Sequence, residues 1–185
     1  QTPVIVKVLR LEQPTPHQLI QFRNEYAYTK DLTIPGVRKA HGQFTWAGRE
    51  ALILEYVNGK TLTQWSIGRT LAEKLFVAIQ MAQIIGTVHQ QHLIHKDINS
   101  QNVLVNPTTQ AVTLIDFGIA VRVSLKLPHL GHPSALEGTL AYISPEQTGR
   151  MNRIVDERTD LYSLGVTLYE MFTERLPFAI ADPLE

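Results

Sequence analysis

The stretch HKDINSQNVLV, residues 95–105, places one His, one Lys, one Asp and two Asn within eight residues and then continues as a short apolar run. A second stretch, AVTLIDFG at residues 111–118, follows it after a turn around Asn106 and Pro107. The two Val-rich and Leu-rich runs predict short strands, and residues 95–102 predict a turn. Together they predict a polar turn that is anchored by a strand.

Strand patterns precede helix patterns along the chain. Strands are also predicted at residues 4–11, 42–48 and 50–57. Helices are predicted at residues 15–32, with a start at Thr15 and Pro16, and at residues 70–92 and 157–172. Residues 119–150 are rich in Pro, Gly, His and Ser and predict a long loop, and long loops in compact domains are usually functional or disordered. This order predicts an α+β protein with two unequal lobes.

The helix predicted at residues 70–92 is the most apolar part of the chain. Its predicted buried face combines residues at helical spacing: Leu71, Leu75, Ala78, Ile79, Ala82, Ile85 and His89. Gln and His interrupt the run, so we expect no segment that spans a membrane.

Composition excludes several classes of function. The chain has 17 basic and 17 acidic side chains, which gives no electrostatic argument for binding nucleic acid or an anionic membrane. It has no Cys, which excludes a disulfide framework and any Cys-ligated metal site. No signal peptide is visible, and we expect a cytoplasmic location. The chain starts and ends abruptly, so we interpret it as part of a longer protein.

Six short stretches, taken in chain order, resemble motifs of the protein kinase family. HKDINSQN resembles the catalytic loop, with Lys96 in place of the usual Arg, and DFG at residues 116–118 follows it. The other four are VIVK at 4–7 with Glu25 on the next helix, LILEYVNG at 52–59, GTLAYISPEQ at 138–147 and TDLYSLGVTLYEM at 159–171. Residues 137–153 further resemble the serine/threonine kinase domains of large bacterial multi-domain sensor kinases, particularly cyanobacterial ones.

The resemblance implies a bilobal, protein-kinase-like fold. The N-lobe, with an antiparallel sheet plus one helix, and the hinge would occupy residues 1–57, and a mainly helical C-lobe would occupy residues 58–185. On this interpretation the chain is a partial kinase domain, truncated at both ends. The glycine-rich loop would precede Lys7, and the last helices would follow residues 176–178.

The resemblance also assigns catalytic roles. Asp97 would accept the proton of the substrate hydroxyl, and Thr139 would contact Asp97. Asn102 and Asp116 would hold Mg²⁺ through oxygen atoms, as this hard cation requires. Lys7 would bind the α- and β-phosphates of ATP, and Glu25 would pair with Lys7.

The adenine pocket and the supporting residues are carried over in the same way. Leu54 would be the gatekeeper, the Glu55 carbonyl and the Val57 amide would meet the adenine edge, and Leu104 would pack beneath the ring. Three further residues would support the site from the protein interior. Asp160 would brace the backbone of the catalytic loop, and His95 and Phe117 would stack on each other in the buried row of side chains called the spine.

Several positions depart from the family pattern. Asn99 stands where serine/threonine kinases usually carry a Lys, and we interpret it as a turn former. Lys96 keeps a charge but lacks the bidentate fork of an Arg that would bind a phosphate on the loop. Thr29 replaces an apolar spine residue and predicts a looser helix. His129 and His132 have the i, i+3 spacing of metal ligands but are interpreted as loop residues.

The predicted function is an ATP- and Mg²⁺-dependent protein serine/threonine kinase. Its expected partners are ATP, a protein Ser/Thr substrate and attached sensor or signalling domains, without nucleic acid and without a membrane segment. The alternative is a pseudokinase, a regulatory or docking module with weak or no phosphotransfer, which Asn99 favours. A small-molecule phosphotransferase is a third hypothesis, against which Thr139 and the SPE sequence at residues 144–146 argue.

Overall fold

A computed structural model of the chain describes residues 2–10, 13–123, 137–148 and 154–178. The first part forms a three-stranded antiparallel sheet and one helix: β1 (Val4–Val8), α1 (Pro16–Thr29), β2 (Ala40–Trp46) and β3 (Arg49–Glu55). The strand order is β1-β3-β2, so β3 is the central strand. The predicted antiparallel sheet with one helix is therefore confirmed.

Helix α1 begins where the sequence predicts. The Thr15 hydroxyl accepts a hydrogen bond from the Gln18 amide at 3.3 Å, and the Gln18 side chain accepts one from the Thr15 amide at 3.0 Å. Pro16 occupies the first turn, where its missing N–H costs nothing. One face of α1 buries Phe22, Glu25 and Thr29. This face closes a small core against the sheet, made of Phe22, Ala40, Leu52 and Leu54.

The second part of the chain, from residue 60 onward, is mainly helical and forms most of a second, larger core, to which Leu32, Ile34 and Val37 also belong. Its elements are β4 (Lys60–Thr61), α2 (Leu62–Ser66), α3 (Leu71–Gln90), β5 (Leu93–Ile94), β6 (Val103–Val105), β7 (Val112–Leu114), β8 (Val121–Arg122) and α4 (Arg158–Thr173). Two short 3₁₀ helices lie at Leu140–Tyr142 and Pro145–Thr148. Trp65, Val77, Met81, Phe117 and Met171 belong to the core of this part. Two cores in one α+β chain give the two unequal lobes.

Helix α3 buries a different face from the predicted one. Val77, Met81, Ile84, Ile85 and Val88 are buried, whereas Leu71, Leu75 and Ile79 are exposed. The prediction was wrong for Leu71, Leu75 and Ile79, although it included the buried Ile85. The reason is that α3 is apolar on both sides, so periodicity alone does not select the buried one. By length and composition α3 could also cross a membrane, with a mean hydropathy of 1.3. Its buried face nevertheless packs in the large core, as in a core helix.

The pairing of β6 with β7 places the polar turn beside the DFG stretch. The strands are antiparallel, and Val103 pairs with Leu114. The start of β6 and the end of β7 therefore lie at the same edge, and the Ile115 amide donates to the Asn102 carbonyl at 2.9 Å. This register brings residues 97–102 and 115–118 together.

Candidate active site

Asp97 lies in the turn before β6, and both of its carboxylate oxygens accept hydrogen bonds. Oδ1 accepts from the backbone amide and the hydroxyl of Thr139, at 2.9 and 2.8 Å, and from Nδ2 of Asn99 at 3.1 Å. Oδ2 accepts from Nδ2 of Asn102 at 2.9 Å. These bonds fix the orientation of the carboxylate and bring together three of the predicted catalytic residues: Asp97, Asn102 and Thr139.

Asn99 shapes this turn. It is buried, and its Oδ1 accepts from the backbone amides of Gln101 at 2.9 Å and Asn102 at 3.0 Å. The interpretation of Asn99 as a turn former is confirmed. Its Nδ2 also reaches Asp97 and the Thr139 hydroxyl, so Asn99 helps to orient the carboxylate.

Asp160 holds the turn from below. This residue of α4 is fully buried, and it accepts hydrogen bonds from the backbone amides of His95 and Lys96, each at 2.8 Å. Its Oδ2 lies 2.9 Å from Nε2 of His89. Lys96 has a φ of 67°, in the left-handed region that costs a non-Gly residue conformational energy. The expected bracing contact between Asp160 and the loop backbone is present.

Lys7 of β1 lies between two carboxylates. Its Nζ is 2.6 Å from Oε2 of Glu25 and 3.1 Å from Oδ2 of Asp116. Burial acts to lower the pKa of Lys7, but the negative charges of Glu25 and Asp116 outweigh it and raise that pKa. Burial likewise acts to raise the pKa of Asp116, but the charge and hydrogen bond of Lys7 hold it below its usual value. Lys7 and Asp116 are therefore both charged at neutral pH.

Glu25 has a second cationic partner that the sequence interpretation missed. One terminal guanidinium nitrogen of Arg38 donates to Oε1 of Glu25 at 2.7 Å, and both side chains are buried. Arg38 follows Val37 directly, and nothing in its local sequence indicates a buried ion pair.

Thr29, the polar residue at the spine position, is also buried. Its hydroxyl donates a hydrogen bond to the Glu25 carbonyl at 2.5 Å, so its polar group has a partner within α1.

The two predicted metal ligands offer oxygen atoms at the same edge. Asn102 uses Nδ2 to donate to Asp97, which leaves its Oδ1 for a cation. Asp116 has a φ of 63° and receives the Gly118 amide on Oδ1 at 3.3 Å. One amide oxygen and one carboxylate fit Mg²⁺, which typically takes one or two protein ligands plus phosphate oxygens. Within the described ranges, no three His, Cys, Asp or Glu side chains converge as a metal site.

Predicted nucleotide-binding residues line two different cavities. Lys7, Asp97 and Asp116 share an open cavity of about 280 Å³ with Phe22 and Ile119. Glu55 and Val57 line a separate cavity of about 390 Å³. Leu54 is buried in β3, and Leu104 is half-buried in β6. His95 and Phe117 contact each other edge to face, with ring centroids 4.6 Å apart. His129 and His132 lie outside the described residues.

Comparison with known proteins agrees with this geometry. The family profile described as "Protein kinase domain" matches residues 1–184. The chain is 33% identical over 98% of its length to a Clostridium perfringens protein named "Probable serine/threonine-protein kinase", and 28% identical over 95% to serine/threonine-protein kinase PrkC of Bacillus subtilis. It is 35% identical over 95% to serine/threonine-protein kinase PknA of Mycobacterium tuberculosis. The chain spans 26%, 27% and 42% of these three relatives. The chain belongs to the protein kinase domain family.

Proposed function

We propose that this domain transfers the γ-phosphate of ATP to a Ser or Thr hydroxyl of a protein substrate. The observation that carries the proposal is the hydrogen-bonded carboxylate of Asp97, held by Thr139 and Asn102 in the cleft that also contains Lys7 and Asp116. Asp97 accepts the proton of the substrate hydroxyl and orients its oxygen, while Thr139 keeps the carboxylate in place. Phosphoryl transfer needs such positioning and charge compensation more than covalent chemistry.

The two lobes supply the groups for the nucleotide. Lys7 binds the α- and β-phosphates, and Glu25 holds Lys7 toward the cleft. Asn102 and Asp116 would hold Mg²⁺, which would supply positive charge to compensate the charge of the phosphates. The hinge carbonyl of Glu55 and the amide of Val57 meet the adenine edge.

The apolar part of the adenine pocket comes from both lobes as well. Leu54, buried in β3, limits the depth of the pocket, and Leu104 of β6 packs beneath the ring.

The replacement of the usual Lys by Asn99 affects the rate of transfer rather than the binding of ATP. It removes one cation relative to the usual family pattern, and losing a comparable electrostatic donor costs about 2.7–4 kcal/mol of barrier. We therefore expect slow turnover from an otherwise complete set of base, lysine and metal ligands.

The proposal predicts Mg²⁺-dependent labelling of hydroxyl amino acids. Incubating the intact protein with γ-labelled ATP, Mg²⁺ and a basic test protein should place the label on Ser or Thr, as read by phosphoamino-acid analysis. Chelation of Mg²⁺ should abolish the label, because phosphate charge is then uncompensated, and excess Mg²⁺ should restore it. Label on Tyr, or label that survives chelation, would refute the proposal.

The proposed activity also bears on where the domain is located in the cell and on how its activity is controlled. We place the domain in the cytoplasm, where ATP is supplied. The chain spans less than half of the three relatives reported above, so we propose that further sensor or signalling domains in the same protein control it. Such domains would act on α1, since this helix carries Glu25.

We expect that activity does not require phosphorylation of the loop between residues 119 and 137. Its hydroxyl sites are Ser124 and Ser134, both outside the described residues. A Lys at position 96 meets a phosphate as a point charge, with less orientation than a bidentate Arg. Replacing both Ser with Ala should leave turnover nearly unchanged. A fall beyond about tenfold, or roughly 1.4 kcal/mol of barrier, with an unchanged circular dichroism spectrum would contradict this expectation.

A further inference from the structure

Glu137 is a partly buried carboxylate whose two oxygens are both engaged. Oε2 lies 2.5 Å from Nζ of Lys96. Oε1 lies 2.8 Å from Nε2 of His17 and accepts a hydrogen bond from Nε2 of Gln21 at 3.2 Å. The Glu137 side chain therefore joins Lys96, in the turn at residues 95–102, to two residues of α1.

Both ends of this connection lead directly to groups of the active site. His17, Gln21 and Glu25 follow one another at i, i+4 and i+8, so they share one face of α1. Lys96 precedes Asp97 directly, and Thr139, two residues after Glu137, donates to Asp97. Glu137 thus lies between the helix that positions Lys7 and the turn that positions the base.

The backbone brings Glu137 close enough for these contacts. Gly138 has a φ of 103°, and a Cβ atom there would lie 3.2 Å from the Lys96 carbonyl. The same carbonyl accepts a hydrogen bond from the Gln147 side chain at 3.0 Å. The segment around Gly138 therefore packs directly on Lys96.

Opposite charges stabilise the contact between Lys96 and Glu137. The Lys96 side chain is only 12% exposed, so an unpaired ammonium there would be costly. Burial acts to raise the pKa of Glu137, but the hydrogen bond and charge of Lys96, with help from His17 and Gln21, hold it below its usual value. Glu137 is consequently a carboxylate at neutral pH.

We infer that Glu137 is a positioning residue that supplies, from within the chain, the anion that aligns Lys96 and the start of α1. It keeps α1 against the cleft and thereby holds Glu25 against Lys7. This inference rests on the proposed function, and it explains how Lys96 is engaged without a phosphate on the loop.

The test compares Glu137→Gln with Glu50→Gln in the intact protein. Glu50 is a matched control, because its side chain is 20% exposed like that of Glu137 and it pairs with Arg23 on α1. We expect Glu137→Gln to lower kcat roughly tenfold or more, since a small misplacement of a positioned group is costly. ATP affinity should fall by less than kcat, because the adenine contacts lie on other elements and only the phosphate contact of Lys7 depends on α1. Glu50→Gln should leave kcat nearly unchanged, and an equal fall in both variants would overturn the inference.

Two further measurements separate positioning from general damage. If Glu137 acts through Lys96, the double variant of Glu137→Gln with Lys96→Met should be no slower than the slower single variant, whereas multiplied losses would overturn the inference. Hydrogen exchange in the first two turns of α1 should be faster in Glu137→Gln than in the wild-type protein, and unchanged exchange would also overturn it. Exchange needs no phosphoryl transfer, so failure of the proposed activity and failure of this inference give different results.

Discussion

Replacing Asp97 with Asn should lower kcat for phosphoryl transfer by about 10²–10⁴-fold, the usual contribution of a positioned general base. An amide cannot accept the proton of the substrate hydroxyl. It also presents one NH₂ group to the donors that surround Asp97, so the bond from Nδ2 of Asn102 or those from Thr139 would be lost. The measurement is single-turnover transfer from labelled ATP.

The matched control for this change is Asp31→Asn. The Asp31 side chain is 86% exposed and lies beyond the end of α1, so its neutralisation should leave turnover unchanged. ATP affinity of the Asp97 variant, measured by calorimetric titration, should stay close to the wild-type value. Equal transfer rates in the wild-type protein and the Asp97 variant would show that Asp97 is not the base.

Replacing Asp160 with Ala should destabilise the catalytic turn by about 2–6 kcal/mol, because two buried backbone donors would lose their acceptor at about 1–3 kcal/mol each. The backbone amides of His95 and Lys96 would lose their acceptor in a fully buried position. An unsatisfied buried donor costs about 1–3 kcal/mol, and the left-handed conformation of Lys96 would lose its support. Asp160→Asn should lose less, because its one carbonyl oxygen can still accept.

Hydrogen exchange over residues 93–105 measures this effect. The free energy of opening should fall in the order wild type, Asp160→Asn, Asp160→Ala, and transfer activity should fall with it. Asp156→Ala is the control, because Asp156 pairs with the exposed Arg158 at the start of α4 and does not touch the turn. A change below about 1 kcal/mol in Asp160→Ala, within the range of surface substitutions, would contradict the bracing role.

The local shape of the turn at residues 95–102 could be predicted from its own residues, whereas the roles of Asp97 and Asn102 came from the resemblance to the kinase motif. The contacts among Asp97, Asn99 and Asn102 span at most five positions, and Asn99 has the turn role expected of it. The capped start of α1 is equally local. Such features follow from short-range chemistry that a single stretch contains.

The ion pairs of Arg38 and Glu137 could not be predicted in this way, whereas the pair of Lys7 with Glu25 followed from the resemblance. Arg38 and Glu137 meet their partners only after folding, since Glu137 contacts a residue of α1 that lies 116 positions away. A sequence shows that a carboxylate exists but not which cation it will meet. The buried face of α3 failed for a related reason, because a helix that is apolar on both sides is oriented by its neighbours.

Glu25 pairs with two cationic side chains, Lys7 and Arg38, so the domain can lose catalytic activity without losing its fold. A buried carboxylate that loses its sole partner typically costs about 3–5 kcal/mol, which would penalise any change at Lys7. Here Arg38 remains beside Glu25 when Lys7 is gone, so the helix keeps its neutralising partner. During evolution, a single substitution at Lys7 can therefore abolish phosphoryl transfer while the domain remains folded and able to act as a scaffold.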